Sequence, residues 1–284
     1  SKIMKKLNLS PCTLGEAPLW HAQTNEFVFA DIVNGRLFAA KPDGSVRVLL
    51  QTHWKLGAFL FTEQGDLLLF TEEGVFFIPY GGSTQDCTLA WKVPMQPGER
   101  FNDAICDPAG RMLAGTKTEE NQNGSLWIFE RNHSPRRVMQ GLQISNGMGF
   151  AENGTVFYHT DSGKHVITRY QYDISQGSFC NGTPFFTLNT PDGAVPDGMT
   201  VDSDGNVWTA CWGGSCLRCI NSAGAEISRY ELPAVQVSSL AFGGSDLRQL
   251  LVTSAACGMP AGNDGGIWLL DVPFTGKQEY CALL

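Results

Sequence analysis

One phrase recurs along this chain and restricts what it can fold into: an Asp/Glu/Asn-x-Gly turn, or a close variant, followed at once by a β-rich run. It occurs as PDGSVRVLL from Pro42, EQGDLLLF from Glu63, DPAGRMLAGT from Asp107, AENGTVFYHT from Ala151 and DSDGNVWTACW from Asp202. Asp-Gly and Asn-Gly supply the positive backbone angles that hairpin turns need, and the alternating Val, Leu, Phe and Trp after them match a half-buried strand. A second strand follows in turn, as in GVFFIPY from Gly74, GSLWIFE from Gly124, VITRYQYD from Val166 and GGIWLLDV from Gly265. No stretch carries a sustained 3.6-residue apolar period with a cap, so helices should be few and short and the class is all-β. Four-strand groups repeated over 284 residues suit a six-bladed β-propeller with blades of about 47 residues. A sandwich or jelly roll does not usually return the same phrase at long regular intervals. Closure of such a ring predicts that Lys2 to Leu9 pairs as a strand in the blade that contains GGIWLLDV.

A composition of 43% hydrophobic and 17% charged residues is enough for a large core and too little charged for disorder. No Pro/Ser-rich linker or long charge run marks a boundary, so residues 1–284 are read as one domain. The net charge of −8, with no Lys/Arg cluster, excludes nucleic acid as a partner. Neither a signal-length apolar run nor ~18 consecutive apolar residues occurs, which predicts a cytoplasmic protein with no membrane partner. Nine cysteines, at 12, 87, 106, 180, 211, 216, 219, 257 and 281, lack the paired spacing of a disulfide framework and fit free thiols in a reducing compartment. Cys216 and Cys219 form a C-x-x-C, but no second pair completes a tetrahedral site, so packing is the expected role.

Four polar phrases differ from ordinary hairpin tips: LGEAPLW from Leu14, RFNDAICDPAG from Arg100, ISNGMGF from Ile144 and VPDGMTVDSDG from Val195. Each sits just ahead of a strand and offers an oxygen side chain. Glu16 to Asn102 is 86 residues, Asn102 to Asn146 is 44 and Asn146 to Asp197 is 51, or two blades, one blade and one blade. Residues at equivalent blade positions face one axis, so these four could converge at one mouth of a propeller channel. Two carboxylates and two amide oxygens are hard donors suited to calcium, magnesium or manganese. The competing reading is that Asn102, Asn146 and Asp197 merely cap turns. Glu16 favours the ion, since Glu is not a favoured turn residue and a buried carboxylate needs a partner.

These phrases resemble elements of the gluconolactonase, regucalcin and luciferin-regenerating-enzyme family. LGEAPLW is similar to its G-E-G/A-P-x-W element, RFNDAICDPAGRMLAGT to R-x-N-D-x-x-x-D-x-x-G-x-x-x-x-G-T, and ISNGMGF and PDGMTVDSDGNVWTACWGG to its S-N-G and P-D-G-M elements. They stand in the family's order, and SSLAFGG from Ser238 with LLVTSA from Leu250 extends the likeness over nearly the whole chain. The resemblance implies a six-bladed propeller, a single divalent metal ion bound by Glu16, Asn146 and Asp197, and metal-dependent hydrolysis of a sugar (aldono-) lactone. Calcium is the first expectation for the ion, with zinc, magnesium, manganese or ferrous iron also accommodated. It further implies that Arg100, Asn102 and Glu120 grip the sugar, Asn102 lying at or beside the metal. Asp197 is the general base, because its family counterpart sits between metal and substrate. Two departures bear on which lactone is taken: the loop after Glu120 is trimmed, and KLGAFLFTEQGD in the second blade lacks the family's usual Ser and Arg.

Rival chemistries find less footing. No G-x-S-x-G elbow occurs, and the five histidines include no H-x-H or H-E-x-x-H pair. His159, in FYHTDSG, lies near a loop end and is expected to be surface or core. The second functional reading is a calcium-binding regulatory protein of the regucalcin type without significant catalysis.

Overall fold

The glycine turns of the recurring phrase fold as hairpin ends. Gly65, Gly110, Gly154 and Gly205 have φ of +83°, +84°, +88° and +81°, a region glycine enters without steric cost. In two blades an aspartate ties the turn from inside. Asp107 Oδ1 accepts from the backbone N–H groups of Ala109 and Arg111 at 2.9 and 2.8 Å. Asp202 Oδ1 accepts from those of Asp204 and Asn206 at 3.0 and 2.9 Å. The second oxygens are occupied too, by Arg111 and the Tyr172 hydroxyl on Asp107 and by Asn206 and the Trp208 indole on Asp202. Full hydrogen bonding is what permits these carboxylates to be buried.

The computed structural model describes residues 4–119 and 122–284. Six four-stranded antiparallel sheets form a six-bladed β-propeller. Blades one to five open with the strands Gly15–His21, Leu56–Phe61, Glu99–Cys106, Ser145–Ala151 and Val195–Val201 and run on in chain order. The sixth contains Val237–Gly243, Gln249–Ser254 and Trp268–Asp271, and is completed by Met4–Lys6, which pairs antiparallel to Trp268–Asp271 with Met4 opposite Leu270. The predicted pairing of the opening segment is therefore present over its described part. Helix among the described residues is limited to 3₁₀ turns at Thr84–Asp86, Glu152–Gly154 and Ser162–Lys164.

Two compact units divide the chain. One holds the first, fifth and sixth blades, from the chain up to His53 and Leu188–Gln278; the other holds the second, third and fourth, from Trp54–Thr187 and Glu279–Leu284. In each unit the opening strands of the blades are largely buried and the closing strands largely exposed. Facing sheets are cemented by apolar clusters. Trp208, Leu217, Leu240, Phe242 and Trp268 fill the space between blades five and six, and Phe27, Phe29, Leu251 and Leu269 that between six and one. In the second unit Ile105, Leu113, Met148, Phe150 and Phe157 do the same between blades three and four. Each such large side chain contributes about 1.5–3 kcal/mol on burial.

Opening strands of adjacent blades approach closely where glycine removes the side chain. A Cβ on Gly57 would lie 2.4 Å from the Phe101 carbonyl oxygen, and one on Gly198 would lie 2.1 Å from Ser239 Oγ. No helix among the described residues is long and apolar enough to cross a membrane.

Candidate functional site

In every blade the pairing of the first and second strands slips early in the first strand. The breaks fall between Glu16 and Leu19, Leu56 and Ala58, Phe101 and Asp103, Ser145 and Met148, Pro196 and Met199, and Val237 and Ser239. An irregularity of this kind bends the strand and re-aims its side chains. All four predicted oxygen donors, Glu16, Asn102, Asn146 and Asp197, lie at these breaks. They are thus carried inside strands rather than on loops ahead of them, which fixes their direction more firmly than a loop would. In the first blade the chain turns through a left-handed Ala17, φ +52°, whose N–H donates to Glu16 Oε2 at 2.9 Å. The Ser238 hydroxyl donates to the carbonyl of Gly15, anchoring the residue before Glu16.

Burial separates the donors. Glu16, Asn146 and Asp197 are only 6%, 5% and 5% exposed, whereas Asn102 and Arg100 are partly open. Burying carboxylates to this depth is costly without a compensating charge or hydrogen bonds. The amide of Asn146 is oriented from one side: its Nδ2 donates to Ser162 Oγ at 3.0 Å, and its buried Oδ1 accepts no hydrogen bond among the described residues. A buried hard oxygen held in this way is of the donor type that divalent cations take.

Within the second unit Asn102 and Asn146 are brought together, since Asn102 Nδ2 donates to the carbonyl oxygen of Ser145 at 2.9 Å. Arg100 shares the strand of Asn102 and donates from Nη1 to the Phe101 carbonyl oxygen at 3.1 Å. Glu16 and Asp197 belong to the first unit, on the opening strands of blades one and five. Glu120 lies outside the described residues. Among the described residues no group of three or more His, Cys, Asp or Glu side chains forms a ready metal cluster.

Three residues around these donors, Asp103, Ser162 and Ser145, escape a reading of the sequence alone. Asp103 follows Asn102 directly, and burial pushes its carboxyl up to about 7 against the hydrogen bond it accepts from the Ala104 N–H. Its signal was the acidic letter that closes RFND. Ser162 is brought to Asn146 by the fold of the blade, and nothing in the local pattern marks it. Ser145 Oγ and His159 Nε2 share a 2.8 Å hydrogen bond, both fully enclosed. Burial lowers the His159 pKa to about 4, with Asp161 opposing, so His159 is a neutral core histidine.

The fold is that of a six-bladed propeller with buried oxygen donors on the opening strands of its blades. The chain belongs to the SMP-30/Gluconolactonase/LRE-like family, whose model matches residues 14–256. It is 33% identical over 279 residues to pentonolactonase XacC of Haloferax volcanii, covering 95% of this chain and 94% of that protein. To regucalcin of Danio rerio it is 29% identical over 253 residues, covering 87% and 85%. The solved structure of a luciferin-regenerating enzyme superposes with a TM-score of 0.92 over the whole of both chains at 24% identity, a likeness of fold.

Proposed function

We propose that this protein hydrolyses a sugar lactone to its aldonic acid with the help of one divalent cation, calcium in the first instance, held by Glu16, Asn146 and Asp197. The observation that carries the reading is the Asn146 amide, fixed by Ser162 through Nδ2 and presenting a buried Oδ1 that accepts no hydrogen bond among the described residues. The kinship with a protein named pentonolactonase favours the reaction class. When bound, the cation supplies positive charge opposite the lactone carbonyl oxygen, where negative charge gathers as water attacks. Asp197 takes the proton from that water and returns it to the ring oxygen as the ring C–O bond breaks. Glu16 acts purely as a ligand, and Arg100, Asn102 and Glu120 bind the sugar hydroxyls. Nine free thiols accord with work in the cytoplasm.

The test is acid release from a panel of aldonolactones by metal-stripped protein, by protein resupplied with each ion, and by Asp197→Ala. Activity should vanish on stripping, return with metal, and fall by about 100-fold or more in the variant. Calcium binding with no turnover of any lactone would replace this reading with that of a calcium-binding regulator.

A further inference from the structure

Cys211 and Cys216 end the two strands of one hairpin in the fifth blade, Val207–Trp212 and Cys216–Ile220, and stand directly opposite each other in its register. Directly opposed residues of an antiparallel pair have Cα atoms about 4.5–5.5 Å apart, inside the window of about 4.4–6.8 Å that a disulfide requires. The connection between them is tight and anchored. Gly213 and Ser215 have φ of +86° and +57°, Gly214 N donates to the Cys211 carbonyl, and Gly213 N donates to that of Val235. The hairpin therefore fixes the two residues opposite each other at a backbone separation a disulfide can span.

The two thiols act on each other, and the charge of Arg218, two residues along the strand from Cys216, lowers the pKa of both while burial raises both. Their mutual interaction favours the thiolate on Cys216 and the thiol on Cys211. Attack on a peroxide requires one thiol of the pair as thiolate. Cys219, the other half of the C-x-x-C, is different: it stands opposite Trp208 within an apolar cluster, and burial pushes its thiol up to about 12.

We propose that Cys211 and Cys216 are a hydroperoxide-sensitive dithiol that closes reversibly to a cross-strand disulfide. The Cys216 thiolate attacks one peroxide oxygen, the O–O bond breaks, and hydroxide leaves, giving a sulfenic acid. Cys211 sulfur then attacks the Cys216 sulfur and loses its proton, and the sulfenic oxygen departs as water. In sum, two thiols and one hydrogen peroxide become one disulfide and two waters, and an added dithiol reverses the change. Both side chains are buried, which favours a reagent as small as peroxide and an intramolecular product. The bond would brace a strand whose Cys211 faces Pro196, the neighbour of Asp197.

The experiment treats the whole protein with hydrogen peroxide, denatures it in N-ethylmaleimide and maps the cysteines by mass spectrometry. Exposed Cys180 serves as an internal gauge of oxidant dose. Expected is loss of alkylation at both 211 and 216, a bond between them in fragment spectra, and full recovery with dithiothreitol. In Cys211→Ser, Cys216 should persist as a sulfenic acid and take up dimedone several-fold more than in the parent. Alkylation of both thiols at a dose that consumes Cys180, a bond from Cys216 to Cys219 instead, or equal dimedone capture in parent and variant would overturn the proposal. The parent's map decides the matter even if the variant folds poorly.

Discussion

Ser162 donates nothing to the candidate ion directly, yet it decides which end of the Asn146 amide is available as an oxygen. Removing its hydroxyl in Ser162→Ala frees the amide to turn over, and groups that orient ligands are worth about 10–100-fold in metal affinity. Calcium titration calorimetry should therefore register a loss of about tenfold or more, while the unfolding free energy of the metal-free protein moves by only about 1 kcal/mol, one hydrogen bond's worth. Unchanged affinity would remove Ser162 from the site. His159 offers a different measurement. Folded, it binds a proton only near pH 4, against 6.5 for an unperturbed histidine, because burial disfavours the charged ring. Between those values the unfolded chain takes up more protons, so its contribution to stability is complete above pH 6.5 and drains away as pH falls toward 4. Urea unfolding at pH 7 and pH 4.5 should show the parent losing up to about 3 kcal/mol more than His159→Gln. Equal losses would mean that the ring is protonated without opening the fold. The buried-strand positions of the candidate donors were legible in the sequence because Glu, Asn and Asp recur at blade-length spacing. Their supporting neighbours were not, since hydroxyl and imidazole reach the site through strand pairing that no local pattern encodes.

At the scale of strands, the turn glycines read correctly, while the site glycines show the same letters in a different setting. Gly65, Gly110, Gly154 and Gly205 stand at positive φ in real hairpin ends, as Asn-Gly and Asp-Gly signatures suggest. Asp197-Gly198 carries the same letters but lies within the strand Val195–Val201. Gly198 answers there to crowding by Ser239, not to a left-handed backbone. A dipeptide code cannot separate these cases, because the second depends on a neighbouring blade. Gly57 permits the cleanest test of that close approach. Gly57→Ala would press a methyl group against the Phe101 backbone at 2.4 Å, and overpacking of this kind costs about 1–3 kcal/mol. Urea unfolding of the alanine variant should show a loss in that range, and Asn102, next to Phe101, should be displaced enough to weaken lactone KM. A neutral substitution would mean that the opening strands of blades two and three yield easily.

For the molecule as a whole, the number of blades was readable from the length of the chain set against the size of a four-strand group, and ring closure from the need to pair every edge. The pairing of Met4–Lys6 with Trp268–Asp271 makes a further expectation concrete. Deleting the residues before Leu7 leaves Trp268–Asp271 as an open edge, and unpaired edges recruit other chains. The truncated protein should melt several degrees lower and self-associate on sizing columns. A monomer of parental stability would show that the opening strand is dispensable.

The same pairing also bears on how the chain comes to be folded as it is made. Met4 and Leu270 are 266 positions apart, so of the propeller's described strands the one synthesised earliest waits longest for its neighbour. Joining ends so distant costs about 3 kcal/mol more loop entropy than closing a hairpin of ~10 residues. Blades one to five can assemble from local hairpins as they emerge, but the sixth is a composite that exists only once synthesis has passed Asp271. Interrupted translation therefore yields not a shorter propeller but an open one, with an orphan strand at its beginning.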